Sequence, residues 1–307
     1  MRVVFFGTPE FAVPSLAALL GEGFDVLAVV TQPDRPQGRS RSQTIPSAVK
    51  QAAQADDVPV LQPERPTDPA FLKTLRDLAP DVGVVVAYGH ILKPEVLAVP
   101  ARGMVNLHPS LLPELRGAAP IEWAIINGLQ QTGVTIIQMD AGMDSGPILH
   151  HIPEAVPSDI TAGELSAHLS EIGAEALVEA LVLLERGAVQ PRPQDDSRVT
   201  YAPKLSRETA RIDWTVAAER VARLIRGLDP KPGAWTDLDD NAVKLFGAAA
   251  GEGRGAPGDV LQADGRLRIA AGDGAVTIEE VQAEGKARIP VAEWLRGRGL
   301  RVGERFQ

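Results

Sequence analysis

Cysteine is absent from all 307 residues. That removes disulfides, thiolate nucleophiles and zinc–thiolate sites together. Positive charge is not in excess: 31 Lys and Arg face 40 Asp and Glu, a net −9. A uniformly basic nucleic-acid coat is therefore excluded, although a local basic patch is not. No apolar run approaches the roughly twenty residues of a membrane span. The apolar start breaks at Gly7-Thr8-Pro9, too early for a secretory leader. Aromatics make up only 4%. Trp123, Trp214, Trp235 and Trp294 are too scattered to form a base-stacking platform, so core packing is their expected role. Internal repeats and long low-complexity tracts are also missing. The chain reads as cytoplasmic, with no membrane partner, and as a monomer.

What is present suits a globular protein: 44% hydrophobic and 23% charged residues. The length fits one large domain or two ordinary ones. The 29 Gly and 25 Pro predict many turns and a stiff linker. Residues 1–206 carry 15 basic and 24 acidic side chains, whereas 207–307 carry 16 of each. The run Gln190-Pro191-Arg192-Pro193-Gln194-Asp195-Asp196 suits neither a core strand nor a long helix. We therefore divide the chain into a domain at 1–188, a linker at 189–206 and a second domain at 207–307.

In the first domain strand-like and helix-like segments alternate, which implies an α/β fold with a mostly parallel, Rossmann-like sheet. Strands are expected at 2–6, 26–30, 82–87, 104–107 and 134–139, and helices at 12–20, 121–127 and 162–186. The second domain opens with a helix at 216–226. Short strands follow at 234–238, 242–246, 259–262, 267–270 and 276–282, then a helix at 291–298. Five short strands at this spacing predict a small five-stranded, OB-like β-barrel.

A dinucleotide site at the first strand-to-helix turn is disfavoured. The run is Gly7-Thr8-Pro9-Glu10-Phe11-Ala12, where the fingerprint needs a second glycine at the position of Pro9. Glu10 would also repel a phosphate. The segment Asn106-Leu107-His108-Pro109-Ser110-Leu111-Leu112-Pro113 carries more chemistry. Asn106 and His108 alternate along a strand and so share a side, offering an amide and an imidazole to one reacting oxygen. The polar loop from Asp140 to Gly146 follows another strand, and strand ends of an open α/β sheet line one crevice. A carboxylate there, Asp144, can face His108 and assist proton movement. A structural histidine and a turn-forming aspartate fit the local spacing as well.

Other groups are less specific. His150 and His151 are adjacent, so on a strand they face opposite sides and do not form a metal pair. His90, in Tyr88-Gly89-His90-Ile91-Leu92, is expected in the wall of the crevice. Arg35, Arg39 and Arg41 crowd one Pro/Gly/Ser/Gln loop that could grip phosphates or simply be solvated. Lys204 and Arg207 lie beside the junction. Arg220, Arg223 and Arg226 recur at the spacing of a basic helical stripe.

The run from Val105 to Leu149, VNLHPSLLPELRGAAPIEWAIINGLQQTGVTIIQMDAGMDSGPIL, resembles the folate-dependent formyltransferases. The segments FFGTPEFAVPSL, TQPDRPQGR, VVVAYGHIL and TYAPKLSRETARIDW resemble the branch whose acceptor is methionyl initiator tRNA. The resemblance implies a catalytic set of Asn106, His108 and Asp144, and a folate-binding loop of Ser110, Leu111, Leu112 and Pro113. It implies tRNA contacts at Arg35, Arg39 and Arg41; Lys204 and Arg207, beside the less acidic second domain, are further tRNA candidates on charge alone. It implies 10-formyltetrahydrofolate as co-substrate and no metal. The chain departs from the commonest family pattern at Glu114-Leu115, Pro147 and Lys231. The expected activity is formyl transfer to the α-amino group of methionyl initiator tRNA, for translation initiation. The alternatives are a formyltransferase for a small amine, such as glycinamide ribonucleotide or an amino-sugar nucleotide, and a non-catalytic RNA-binding protein. The second domain argues against the small amine, and the intact Asn106/His108/Asp144 set against a binding protein.

Overall fold

A computed structural model describes residues 1–37 and 43–307. The chain begins β1 (Arg2–Gly7), α1 (Val13–Gly21), β2 (Asp25–Val30), β3 (Arg35–Gln37), β4 (Gln43–Ile45), α2 (Ala48–Ala55) and β5 (Val60–Leu61). It continues through α3 (Pro69–Leu78), β6 (Val82–Val86), α4 (Pro94–Leu97), β7 (Met104–His108), β8 (Arg116–Gly117), α5 (Pro120–Ile126) and β9 (Gln131–Gln138). Next come β10 (Ile148–Ala155), α6 (Ala162–Glu185), β11 (Tyr201–Ala202), α7 (Ala218–Gly227), β12 (Ala234–Leu238) and β13 (Asn241–Gly251). The last elements are β14 (Val260–Ala263), β15 (Leu267–Ala270), β16 (Ala275–Ala283), β17 (Ile289–Pro290) and α8 (Val291–Arg298).

Two compact units result. The first comprises Met1–Gly117, Thr132–Glu154 and Ala167–Tyr201; the second comprises Ala118–Gln131, Ala155–Ser166 and Ala202–Gln307. Where the sequence reading divides the chain once, the structure gives short pieces of the first half to the second unit.

The first unit is built on a seven-stranded sheet in the order β10-β9-β7-β6-β1-β2-β5. Pairs β1/β2, β1/β6, β2/β5 and β6/β7 are parallel, and β7/β9 is antiparallel. β6, Val-Gly-Val-Val-Val, is buried at every position, as a strand covered on both faces must be. From β1 the chain moves outward through β2 to β5, then returns to the other side with β6 and β7. The C-terminal ends of β1 and β6 thus flank the switch point where crevices open in such sheets. Gly7 ends β1 because a Cβ there would lie 2.7 Å from the Phe5 ring and 3.2 Å from the Val86 carbonyl oxygen.

The second unit holds an antiparallel sheet in the order β12-β13-β16-β15-β14, with β17 on β16. Residues 303–307 close it. Glu304 and Phe306 pair with Val260 and Gly258 on one side, while Gln307 exchanges backbone hydrogen bonds with Asp237 on the other. The edges β14 and β12 are thereby joined, and the five predicted strands form a barrel. Its core contains Val221, Ala222, Ile225 and Leu228 of the α7 region at helical spacing, with Trp214, Leu245, Ile269, Val281 and Phe306.

Candidate active site

β7 delivers Asn106 and His108 to one side, with buried Leu107 between them on the other. Asn106 is half-buried, and its side chain makes no hydrogen bond among the described residues. His108 is buried, 4% exposed. Its Nε2 lies 2.9 Å from the carbonyl oxygen of Leu115. A carbonyl only accepts, so Nε2 carries the hydrogen and Nδ1 is the nitrogen left to take or give a proton. Nδ1 faces Asp144 Oδ2 at 3.6 Å.

Asp144 sits in the loop between β9 and β10. Within that loop Asp140 Oδ1 accepts from Gly142 N–H and from the Ser145 hydroxyl, each at 2.9 Å. Gly146 is obligatory: a Cβ there would lie 1.8 Å from the Gln138 carbonyl oxygen. Asp144 itself has φ 50°, a left-handed conformation that aspartate tolerates better than most residues. Its Oδ2 accepts the Gly117 N–H at 2.9 Å. Oδ1 has no hydrogen bond among the described residues.

The segment read as a linker supports this site. Gln194 Nε2 donates to the carbonyls of Asp144 (2.7 Å) and Gly146 (2.8 Å). Its Oε1 accepts from Arg116 Nε and Nη2 at 3.1 and 2.7 Å. Arg116 Nη2 also meets Asp196 at 3.1 Å, and Thr200 Oγ1 accepts from Leu115 N–H at 2.8 Å. Sequence reasoning did not single out Gln194, Arg116 or Thr200. Their signal was only polar residues in a Pro-rich stretch and an arginine within a resembling motif.

The loop after His108 is tied down by its own hydrogen bonds. Ser110 Oγ donates to Glu114 O and Thr135 Oγ1 donates to Ser110 O, both at 2.6 Å, while Leu112 N–H donates to Thr135 Oγ1 at 3.1 Å. The Leu112–Pro113 peptide is cis, and Leu112 packs with Ile137 and Ile148. Ser110, Leu112 and Pro113 are buried; Leu111 is half-buried. Past β6, the Tyr88 carbonyl accepts from Thr8 Oγ1 (2.9 Å) and Gln32 Nε2 (3.1 Å). Ala87 and Gly89 flank it with φ 47° and 86°. Beyond them Ile91 is 89% exposed, and Met143 in the Asp144 loop is 64% exposed. Burial pushes the Tyr88 phenol up to about 12.

The remaining candidates are dispersed. Arg39 and Arg41 lie outside the described residues, and for Arg35 only the backbone is described, in β3. Lys204 and Arg207 are exposed. The guanidinium groups of Arg207 and Arg211 lie 4.6 and 5.1 Å from the Trp235 ring centre. The expected stripe of Arg220, Arg223 and Arg226 does not form. Arg226 is 6% exposed, donates to the Ala248 carbonyl at 2.9 Å and pairs with Glu219 at 3.4 Å. Its position on α7 turns it inward, so only Arg220 of the three is fully exposed. His150 and His151 take separate partners, Glu179 at 3.1 Å and Arg192 at 2.9 Å.

The family model described as formyl transferase matches residues 1–181, and that of the formyl transferase C-terminal domain matches 204–299. The methionyl-tRNA formyltransferase of Pelobacter propionicus is 47% identical over 298 residues, covering 96% of this chain and 92% of its own. That of Roseiflexus castenholzii is 46% identical over 310 residues, covering 100% and 99%. Among solved structures, HypX from Aquifex aeolicus in complex with tetrahydrofolic acid superimposes with TM-score 0.68 at 23% identity, over 96% of this chain and 47% of HypX. By its two matched domains and its likeness to these relatives over nearly all of its length, the chain belongs to the formyl transferase family, among the methionyl-tRNA formyltransferases.

Proposed function

We propose that this enzyme transfers the formyl group of 10-formyltetrahydrofolate to the α-amino group of methionyl initiator tRNA, for translation initiation. The observation that carries the reading is the full-length relationship to methionyl-tRNA formyltransferases, which includes the C-terminal domain. Residues 1–188 supply the transfer chemistry and residues 207–307 the RNA-facing part, in one cytoplasmic chain acting as a monomer.

The acceptor nitrogen attacks the formyl carbon, and the carbonyl electron pair moves onto oxygen. Asn106, whose amide is otherwise unengaged, and His108 Nδ1–H donate to that oxygen as its charge develops. Collapse breaks the bond between the formyl carbon and N10 of the folate. The attacking nitrogen sheds a proton and N10 gains one. Because His108 Nε2 is held by the Leu115 carbonyl, proton traffic through the imidazole uses Nδ1, which faces the Asp144 carboxylate. That carboxylate also offers the unengaged Oδ1 to a bridging water. The ordered loop of Ser110, Leu111, Leu112 and Pro113 holds the folate. The loop carrying Arg35, Arg39 and Arg41 grips tRNA phosphates, with Lys204 and Arg207 extending the contact.

The test is formylation of charged initiator tRNA by the purified chain with 10-formyltetrahydrofolate, beside an amino-sugar nucleotide acceptor. Formylmethionyl-tRNA is the expected product. His108→Ala and Asp144→Asn are each expected to lower turnover on the order of a hundredfold or more. Formylation of the sugar nucleotide but not of the tRNA would overturn the substrate assignment. Near-normal turnover by both folded variants would overturn the catalytic set.

A further inference from the structure

The geometry points to Gln194 as a positioning residue for formyl transfer, acting through Asp144; the inference rests on the catalytic reading of Asp144 given above. One amide joins the two backbone segments that hold the reacting pair. Its nitrogen donates to the carbonyls of Asp144 and Gly146, so it grips the backbone of the Asp144 loop from both sides of Ser145. Its oxygen accepts two hydrogen bonds from Arg116. Arg116 lies between Leu115, whose carbonyl holds His108 Nε2, and Gly117, whose N–H holds Asp144 Oδ2. The same side chain therefore ties the anchor of the imidazole to the anchor of the carboxylate.

The amide admits only one orientation. Flipped, its NH2 would meet the Arg116 guanidinium and its oxygen would face two carbonyl oxygens. Asp144 also needs the restraint. It is a non-glycine residue at φ 50°, a backbone state that persists where surrounding contacts impose it. Relaxation of the loop would carry the carboxylate away from Nδ1, where the separation is already 3.6 Å. Gln194 is only half-buried and lies outside the core, so its four hydrogen bonds serve the loop rather than the packing of the fold.

Gln194→Glu separates positioning from general stability. The variant keeps the volume and strengthens the contact to Arg116, but it loses both donors and turns lone pairs toward the Asp144 and Gly146 carbonyls. A kcat lowered tenfold to a hundredfold, on the order expected for a small misplacement of a reacting group, is predicted. KM for both substrates should stay within about threefold, because binding is untouched. In an Asp144→Asn background the same substitution should cost less than about twofold, since a residue acting through Asp144 has nothing left to position. Gln194→Ala, which introduces no charge, is the second variant and should lose about tenfold in kcat while remaining folded. Wild-type kcat in both Gln194 variants, or a full, additive loss in the Asp144→Asn background, would overturn the inference. A near-normal kcat for Asp144→Asn alone would instead overturn the catalytic reading of Asp144.

Discussion

The phenol of Tyr88 lies in a core of Phe6, Phe71, Leu75 and Val4, edge-on to Phe6 at 5.4 Å, and its hydroxyl has no hydrogen-bond partner among the described residues. A buried polar atom left unpaired costs about 1–3 kcal/mol. Tyr88→Phe keeps the ring and removes that atom, so it should raise the melting temperature by about 2–4 °C. A thermal melt decides it, and a clear fall would mean that the hydroxyl is engaged. Residues at the site differ in how far they could be read from sequence. Asn106 and His108 were legible because a strand makes their alternation meaningful, and Asp144 because it ends the next strand in a polar, glycine-rich loop. Gln194 was not. An amide among prolines and aspartates carries no local signal, and its role exists only once the chain has brought it 50 residues back to Asp144.

Among the elements, the base of the β3–β4 ribbon is fastened by a small polar clamp. Lys50 on α2 donates to Asp34 at 2.5 Å and to Gln62 at 2.8 Å, and Gln62 donates to the other oxygen of Asp34 at 2.7 Å. Hydrogen bonds from Lys50 and then Gln62 hold the Asp34 carboxyl below the ordinary carboxylate range. The folded protein thus keeps this group charged to lower pH than the unfolded chain does. Its stabilisation is complete above the unfolded value, about pH 4, and is lost as pH falls through the lower folded value. Asp34→Asn should therefore lower the melting temperature at pH 7, and the gap to the parent should close as pH falls toward 3. Melts across that range test it, and a gap independent of pH would contradict it. Elements between 31 and 81 leave little trace in the sequence pattern. α2 is mostly Ala and Gln and buries only Val49 and Ala53, so its apolar period is faint. α3 was readable in principle, with Asp68 as N-cap, Pro69 in the first turn and Phe71, Leu72 and Leu75 buried. By contrast β12, β15 and α8 fall at the residues expected from pattern, because alternation and glycine turns set their limits locally.

At the scale of the whole molecule, the barrel depends on its final residues. Phe306 is 1% exposed and lies 6.2 Å from the Trp214 ring, while the Gln307 carbonyl accepts from Thr236 Oγ1 at 2.7 Å. Nothing in the sequence of 303–307 alternates like a strand; the segment is recruited by the open edges of β12 and β14. Phe306→Ala should destabilise the second unit by about 3–5 kcal/mol, the usual cost of emptying a buried phenylalanine site. Urea unfolding followed by tryptophan fluorescence would measure it, and a change under about 1 kcal/mol would show that backbone pairing alone closes the barrel. The second unit also draws on residues far apart in the chain. Gly227 of α7 packs on Ile126 and the Glu122 carbonyl of α5, yet α7 begins about ninety residues after α5 ends. At roughly 5–20 residues per second the ribosome delivers α7 about 5–20 s later. For that interval the nascent polypeptide holds Ile126 without the helix that will cover it, so this part of the second unit can pack only after synthesis has passed α7.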